Sequence, residues 1–192
     1  NSGVILSQVF RGFANGIGDA SQIDGRDFAR ALEGARETAY KAVMRPVEGT
    51  MLTVVRAAAE AARTASETEP GITDVLDAAL HGARIALERT PEQLDILRQA
   101  GVVDAGGQGV VYILEGMLKS ATGDTELPSS AAIDGDIGGD MAFLDEVEEL
   151  HGEDAFGYCT NFMVFGEGID PEHERETIAA MGQSAVIVGT DT

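Results

Sequence analysis

The 192-residue sequence has no Trp, a single Cys, five Pro and only 13 Lys and Arg against 33 Asp and Glu. One Cys, Cys159, excludes an intramolecular disulfide and fits a reducing compartment, so a cytoplasmic location is expected. The shortage of basic residues leaves a formal net charge of −20. Such a field repels phosphate backbones and anionic lipid heads, which argues against nucleic-acid or membrane-surface binding. No run approaches the ~20 apolar residues of a transmembrane helix, and no signal peptide is visible. Aromatics are only 5% of the residues, while Ala and Leu recur at helical spacing, so a mainly α fold is expected rather than a sheet sandwich.

What is present is enough apolar material to fill a core, 44% of the residues. The charge is unevenly spread: residues 1–122 carry 12 Lys and Arg against 16 Asp and Glu, and residues 123–192 carry 1 against 17. The acidity therefore belongs to the second part, where it reads as solubilising, with an acidic docking surface as the alternative.

Residues 3–14 (GVILSQVFRGFA) read as a helix ended by the Gly-rich stretch Asn15 to Gly18. Asp24 is a good N-cap for a second helix over Gly25 to Val43, with Phe28, Leu32, Ala35, Ala39 and Ala42 on one face and Pro46 marking its end. An Ala-rich third helix is expected from Glu48 to Ala65. A fourth, capped by Thr73 or Asp74, runs to Arg89. Thr90-Pro91-Glu92 restarts a short helix that Gly101 stops, and a last helix covers Gln108 to Ser120. Six such segments with short connections predict an antiparallel helical barrel or bundle over residues 1–122.

From Gly123 to about Asp140 the composition turns to Gly, Asp, Ser and Pro without apolar periodicity, so 123–140 reads as an acidic linker. Beyond it a β-rich run, Phe156 to Phe165, a helix, Pro171 to Met181, and a second strand, Ser184 to Gly189, suggest the start of an α/β domain over 141–192. Two strands do not make a stable sheet alone, so that domain is expected to be truncated.

Three short turns containing Gly stand where helices begin: Asn1-Ser2-Gly3, Glu48-Gly49-Thr50-Met51 and Asp104-Ala105-Gly106-Gly107. The free N–H groups and dipole of a helix's first turn bind phosphate where Gly permits close approach. Any one of these turns is more often a plain cap than a ligand site. Periodicity does not say whether the three share one end of a bundle.

The blocks NSGVILSQVFRGFA, RPVEGTMLTVVRAA and TPEQLDILRQAGVVDAGGQGVVYILEGM, followed by FGYCTNFMV, resemble in order and spacing the ATP-binding subunit of bacterial fatty acid kinase. Its helical domain is related to the L subunit of dihydroxyacetone kinase. The resemblance spans nearly the whole chain. It implies a helical barrel with ATP across the helix ends. Asn1 would belong to the ATP-binding residues, Ser2 and Gly3 would contact phosphate, Gly49, Thr50 and Met51 would help form the nucleotide pocket, and Asp104, Ala105, Gly106 and Gly107 would close over the nucleotide.

The implied reaction is phosphoryl transfer from ATP to the carboxylate of a fatty acid held by a separate fatty-acid-binding partner, giving an acyl phosphate. A kinase subunit of this type is expected to be able to form a homodimer. Such chemistry needs Mg²⁺ to bridge the phosphates. The family carries its Mg²⁺ ligands in an Asp-Gly-Asp-Thr-Gly motif upstream of the Asn-Ser-Gly turn. The sequence opens at Asn1 inside a motif, so an internal piece of a longer chain, inactive alone, is expected.

Asp134-Gly135-Asp136 looks like that metal motif but follows the Asp104 block, has Ile137 in place of Thr, and reads better as solvated linker. In the family's middle domain a Cys can join a downstream His-x-His pair around Zn²⁺, which would make Cys159 a metal ligand. Within this sequence neither His151 nor His173 stands at ligand spacing to it, and a buried strand position is the plainer reading. His81, His151 and His173 offer no catalytic pairing, and Ser7 lies on a helix face rather than a strained elbow. The alternatives are a dihydroxyacetone-kinase L-type subunit, which is not expected to continue into an FGYCTNF-type domain, and a non-catalytic nucleotide-binding scaffold. An Asp-Gly-Asp-Thr-Gly motif upstream of Asn1 would separate a kinase from the scaffold.

Overall fold

A computed structural model describes residues 2–68, 70–124, 164–166 and 169–180. The described part is mainly helical: α1 (Ser2–Ile17), α2 (Gly25–Ala42), α3 (Met51–Thr68), α4 (Ile72–Glu88), α5 (Thr90–Gln93), α6 (Asp95–Ala100), α7 (Ala105–Thr122) and α8 (Pro171–Ala179). Chain contacts divide it into two units, one of residues 1–125 with 170–192 and one of 126–169.

Helices α1 to α4 pack each on the next in sequence, and α7 lies against α3 and α4. The residue pairs that meet give the directions. Gly16 faces Ala31 across the α1–α2 seam, where Gly12 also faces Gly34, so these two helices run antiparallel. Arg26 reaches the Ser66 carbonyl and Tyr40 reaches Arg56, so α2 and α3 do too. Gly82 of α4 sits against Ala57 and Ala61 of α3, while Arg84 pairs with Glu115 and Leu87 touches Gly107, which sets α7 antiparallel to α4. The starts of α1, α3 and α7 and the ends of α2 and α4 therefore share one end of an antiparallel bundle.

The core explains why an Ala-rich sequence can close. Ala58, Ala59 and Ala62 of α3 and Ala79 and Ala83 of α4 are fully buried, so the two backbones approach closely. Larger side chains, among them Phe28, Leu32, Val54, Val55, Leu76, Leu80, Leu87 and Leu114, fill the remaining space. Burial of each of these contributes roughly 1.5–3 kcal/mol relative to exposure. Phe13 of α1 meets Phe28 of α2 edge to face with ring centroids 5.5 Å apart.

Asp24 caps α2 as expected: its carboxylate accepts the Asp27 N–H at 2.9 Å and the Asp27 side chain accepts the Asp24 N–H, a reciprocal capping box. Other boundaries differ from expectation. Helix α1 continues through Asn15 and Gly16, because Gly16 lets it sit against Ala31, and stops only at Gly18, where φ is +61°. Helix α3 starts at Met51 rather than Glu48, since Gly49 has φ +82°, outside helical space. The cap of α4 is Gly71 without a side-chain bond, and Asp74 lies in the first turn instead. The single helix expected after Pro91 is two, α5 and α6, divided at extended Leu94.

The expected α/β part lies mostly outside the described residues. Among the described residues there is no strand. Val164 and Phe165, at the end of the expected first strand, have no regular secondary structure; the rest of that run and Ser184 to Gly189 lie outside the described residues, as does most of the expected linker. The helix expected from Pro171 is present as α8. No described helix is long and apolar enough to cross a membrane.

Candidate functional site

The second and third turns meet. A Cβ placed on Gly106 would stand 2.8 Å from the Met51 terminal methyl and 3.4 Å from the Met51 Cβ, so the first residue of α3 touches the first turn of α7. Both helices point their N-termini the same way, and their dipoles add at this end. Helical bonding in α3 begins with the Thr53 and Val54 N–H groups on the Thr50 carbonyl, which leaves those of Met51 and Leu52 without an intrahelical acceptor. In α7 it begins with Gln108 on the Asp104 carbonyl, leaving those of Ala105 and Gly106 in the same state.

Each turn is held by its own device. Asp104 is the N-cap of α7, and its carboxylate accepts the Gly107 N–H at 2.7 Å. Residues 105–107 are thus the first helical turn itself, not a loop before it, because Asp104 ends the non-helical stretch three residues earlier than the Gly pair suggested. Gly107 is buried because Val54 and Leu87 leave no room for a Cβ, at 2.7 and 3.2 Å. Gly49 is needed twice over, by its positive φ and by the approach of the Thr90 carbonyl at 3.0 Å and Leu94 at 2.9 Å. Its N–H donates to the Thr53 hydroxyl at 2.8 Å, and the Thr50 hydroxyl donates to the Val47 carbonyl at 2.8 Å.

Thr90 ties the two turns together. It is fully buried, its hydroxyl donates to the Leu87 carbonyl at 2.7 Å and accepts the Asp104 N–H at 3.1 Å, and its carbonyl is the group packed on Gly49. From sequence, Thr90 reads only as the start of a Pro-containing helix. A second group absent from that reading surrounds Glu48. Its carboxylate accepts from Thr53 at 2.7 Å, from Arg56 at 2.9 Å and from Tyr40 at 3.1 Å. Burial pushes the Glu48 carboxyl up, but these three hydrogen bonds outweigh it and hold the group below its ordinary range. Hydrogen bonds to Glu48 and Tyr40 raise the Arg56 guanidinium further still.

Ser2 and Gly3 open α1 at the same end, by the α1–α2 register, and both are exposed. A Cβ placed on Gly3 would stand in open space. Asn1 and Cys159 lie outside the described residues, as do Asp134, Asp136 and His151. Among the described residues no group of three or more His, Cys, Asp or Glu side chains is placed to hold a metal ion, and Asp104 is committed to its cap. The apolar groove lined by Leu6, Phe10, Phe13, Val55, Val110 and Met117 offers no polar atom to a phosphate.

The DAK2 domain matches this sequence over residues 1–119, a stretch that runs from the start of α1 into the last turn of α7 and includes all three turns. The chain belongs to the DAK2-domain family. That family is kinase-related, and its match supports a kinase-type role at that level. An uncharacterized protein of Staphylococcus saprophyticus is 37% identical over 200 residues, covering 100% of this chain and 35% of its own length. Uncharacterized proteins of Staphylococcus aureus strain USA300 (38%, 36% of that protein) and Staphylococcus epidermidis (37%, 35%) are similar over the same span of 200 residues and 100% of this chain. The chain thus spans about a third of the length of these relatives.

Proposed function

We propose that residues 1–122 form the nucleotide-binding domain of an ATP-dependent kinase subunit of the fatty-acid type. An acidic linker over 123–140 and the start of an α/β middle domain over 141–192 would follow. The observation that carries the reading is the meeting of two helix N-termini at Met51 and Gly106, inside the stretch that the DAK2 domain matches. Four N–H groups free of helical bonding, two added dipoles and glycines that permit close approach suit a polyphosphate, despite the chain's −20 charge. Thr50 and Ala105 border this place, and Ser2 and Gly3, level with it on α1, would add a third N-terminus.

Among the described residues no group of three or more His, Cys, Asp or Glu side chains is placed to hold a metal ion. In this reading the metal ligands belong to an Asp-Gly-Asp-Thr-Gly motif preceding the Asn-Ser-Gly turn, and these residues bind and orient the nucleotide only. The acceptor would be a fatty acid carboxylate presented by a lipid-binding partner; the FGYCTNF block favours it over dihydroxyacetone. A photoreactive ATP analogue added to the full-length polypeptide should label residues 49–51 and 104–107, and ATP with a fatty-acid-loaded partner should give acyl phosphate. Labelling confined to other residues would overturn the site, and phosphorylation of dihydroxyacetone instead would overturn the substrate.

A further inference from the structure

The Glu48 carboxylate stands directly before the Gly49 turn, two hydrogen bonds from the Gly49 N–H by way of the Thr53 hydroxyl. A carboxylate there complements the α3 dipole but repels an anion drawn to the same helix N-terminus. Arg56, on the second turn of α3, reaches back to it at 2.9 Å and shares the Tyr40 hydroxyl with it, at 3.3 Å from Arg56 and 3.1 Å from Glu48. The Arg56 and Glu48 side chains are 34% and 47% exposed, and a pair that open to water adds little to folding stability. Its position beside the turn is its main consequence.

We propose that Arg56 is a charge-masking residue for the nucleotide end of the bundle: by pairing with Glu48 it cancels a negative charge that would otherwise repel the phosphates at the α3 N-terminus. The proposal rests on the nucleotide site proposed above. Arg56 is a positioning and masking residue, not a catalytic one, since it acts through Glu48.

The test is a double-variant cycle in the full-length polypeptide, with ATP and the uncharged adenosine as probes in calorimetric titrations. An unmasked carboxylate several Å from bound phosphate at intermediate dielectric weakens binding by about tenfold. Arg56→Gln is therefore expected to bind ATP about tenfold more weakly, with adenosine affinity unchanged. Glu48→Gln should match or exceed the wild type, and the double variant should return close to it. If Glu48→Gln is as weak as Arg56→Gln and the double variant shows no recovery, the network only shapes the turn and masking is wrong. Equal ATP affinity in wild type and Arg56→Gln overturns it as well. Absence of ATP binding in the wild type would instead sink the nucleotide site itself. Thermal melting of all four proteins identifies a variant that fails to fold; in that case Arg56→Lys, which keeps the charge, must bind ATP as the wild type does.

Discussion

The hydroxyl of Thr90 accepts the Asp104 N–H at 3.1 Å, fastening the residue that starts α5 to the residue that caps α7. The same hydroxyl donates to the Leu87 carbonyl, so a fully buried group is satisfied in both directions. Thr90→Val keeps the shape but leaves the Asp104 N–H without its acceptor, at a cost of about 1–3 kcal/mol. Thr90→Ser keeps the bond and loses one methyl, roughly 1 kcal/mol. Urea denaturation should rank them wild type, Ser, Val; a Val variant as stable as the Ser variant would show that the bond is dispensable.

Asp104→Ala removes the α7 cap and should cost about 1 kcal/mol, while Asp104→Asn should cost little, because Asn accepts the Gly107 N–H equally well. The midpoint of denaturation should move without a change in slope. Equal loss in both variants would point to the charge of Asp104 rather than to its hydrogen bond.

Acid should weaken the fold slightly through Glu48, whose carboxylate is partly exposed. Its folded carboxyl titrates below the ordinary 4.5, so its contribution is fully present above that value and is lost as pH falls through the lower folded one. Asp27 shifts the same way, chiefly through the Asp24 N–H and then Arg30. Stability measured from about pH 6 down to about pH 3 should therefore fall less steeply in Glu48→Gln than in wild type, without becoming flat. Parallel curves would mean that Glu48 gains nothing from its three partners.

Much of this was legible in the sequence where the cause is local. Asp24 and its partner Asp27 announce the α2 start, and Gly18 and Gly101 with positive φ are stops that composition alone suggests. The three turns were also visible as Gly beside a helical period. What joins two of them was not: Thr90 reaches Asp104 across 14 residues, and Met51 meets Gly106 across more. Such pairings follow from how α3, α4 and α7 pack, which periodicity does not encode. A weaker signal for the Glu48 group existed. Thr53 and Arg56 interrupt an otherwise apolar first half of α3, three residues apart on one face, and both turn out to hold Glu48. The later α3 start has the same origin, since Gly49 takes a positive φ where a Cβ would meet Thr90 and Leu94 from elsewhere in the chain.

The glycines separate binding from folding. An Ala at Gly106 would meet the Met51 terminal methyl at 2.8 Å and the Asp104 carboxylate at 3.2 Å, both side-chain ends that need shift only by a few tenths of an ångström, and Ala is favoured over Gly in a helix by up to about 1 kcal/mol. Gly106→Ala should therefore fold at least as well as wild type. An Ala at Gly107 would press on the stiff Val54 side chain at 2.7 Å, where overpacking of about 1–3 kcal/mol exceeds the gain in helix propensity. At Gly49 an Ala would carry both a left-handed backbone, about 1–2 kcal/mol, and a clash with Leu94 and the Thr90 carbonyl, so this variant should be the least stable. If the α3 and α7 starts hold the phosphates, Gly106→Ala should nonetheless lose ATP affinity, because its methyl enters the space between two N-termini. Stability and affinity moving in opposite directions in this one variant would mark Gly106 as kept for the ligand; unchanged affinity would assign it to packing alone.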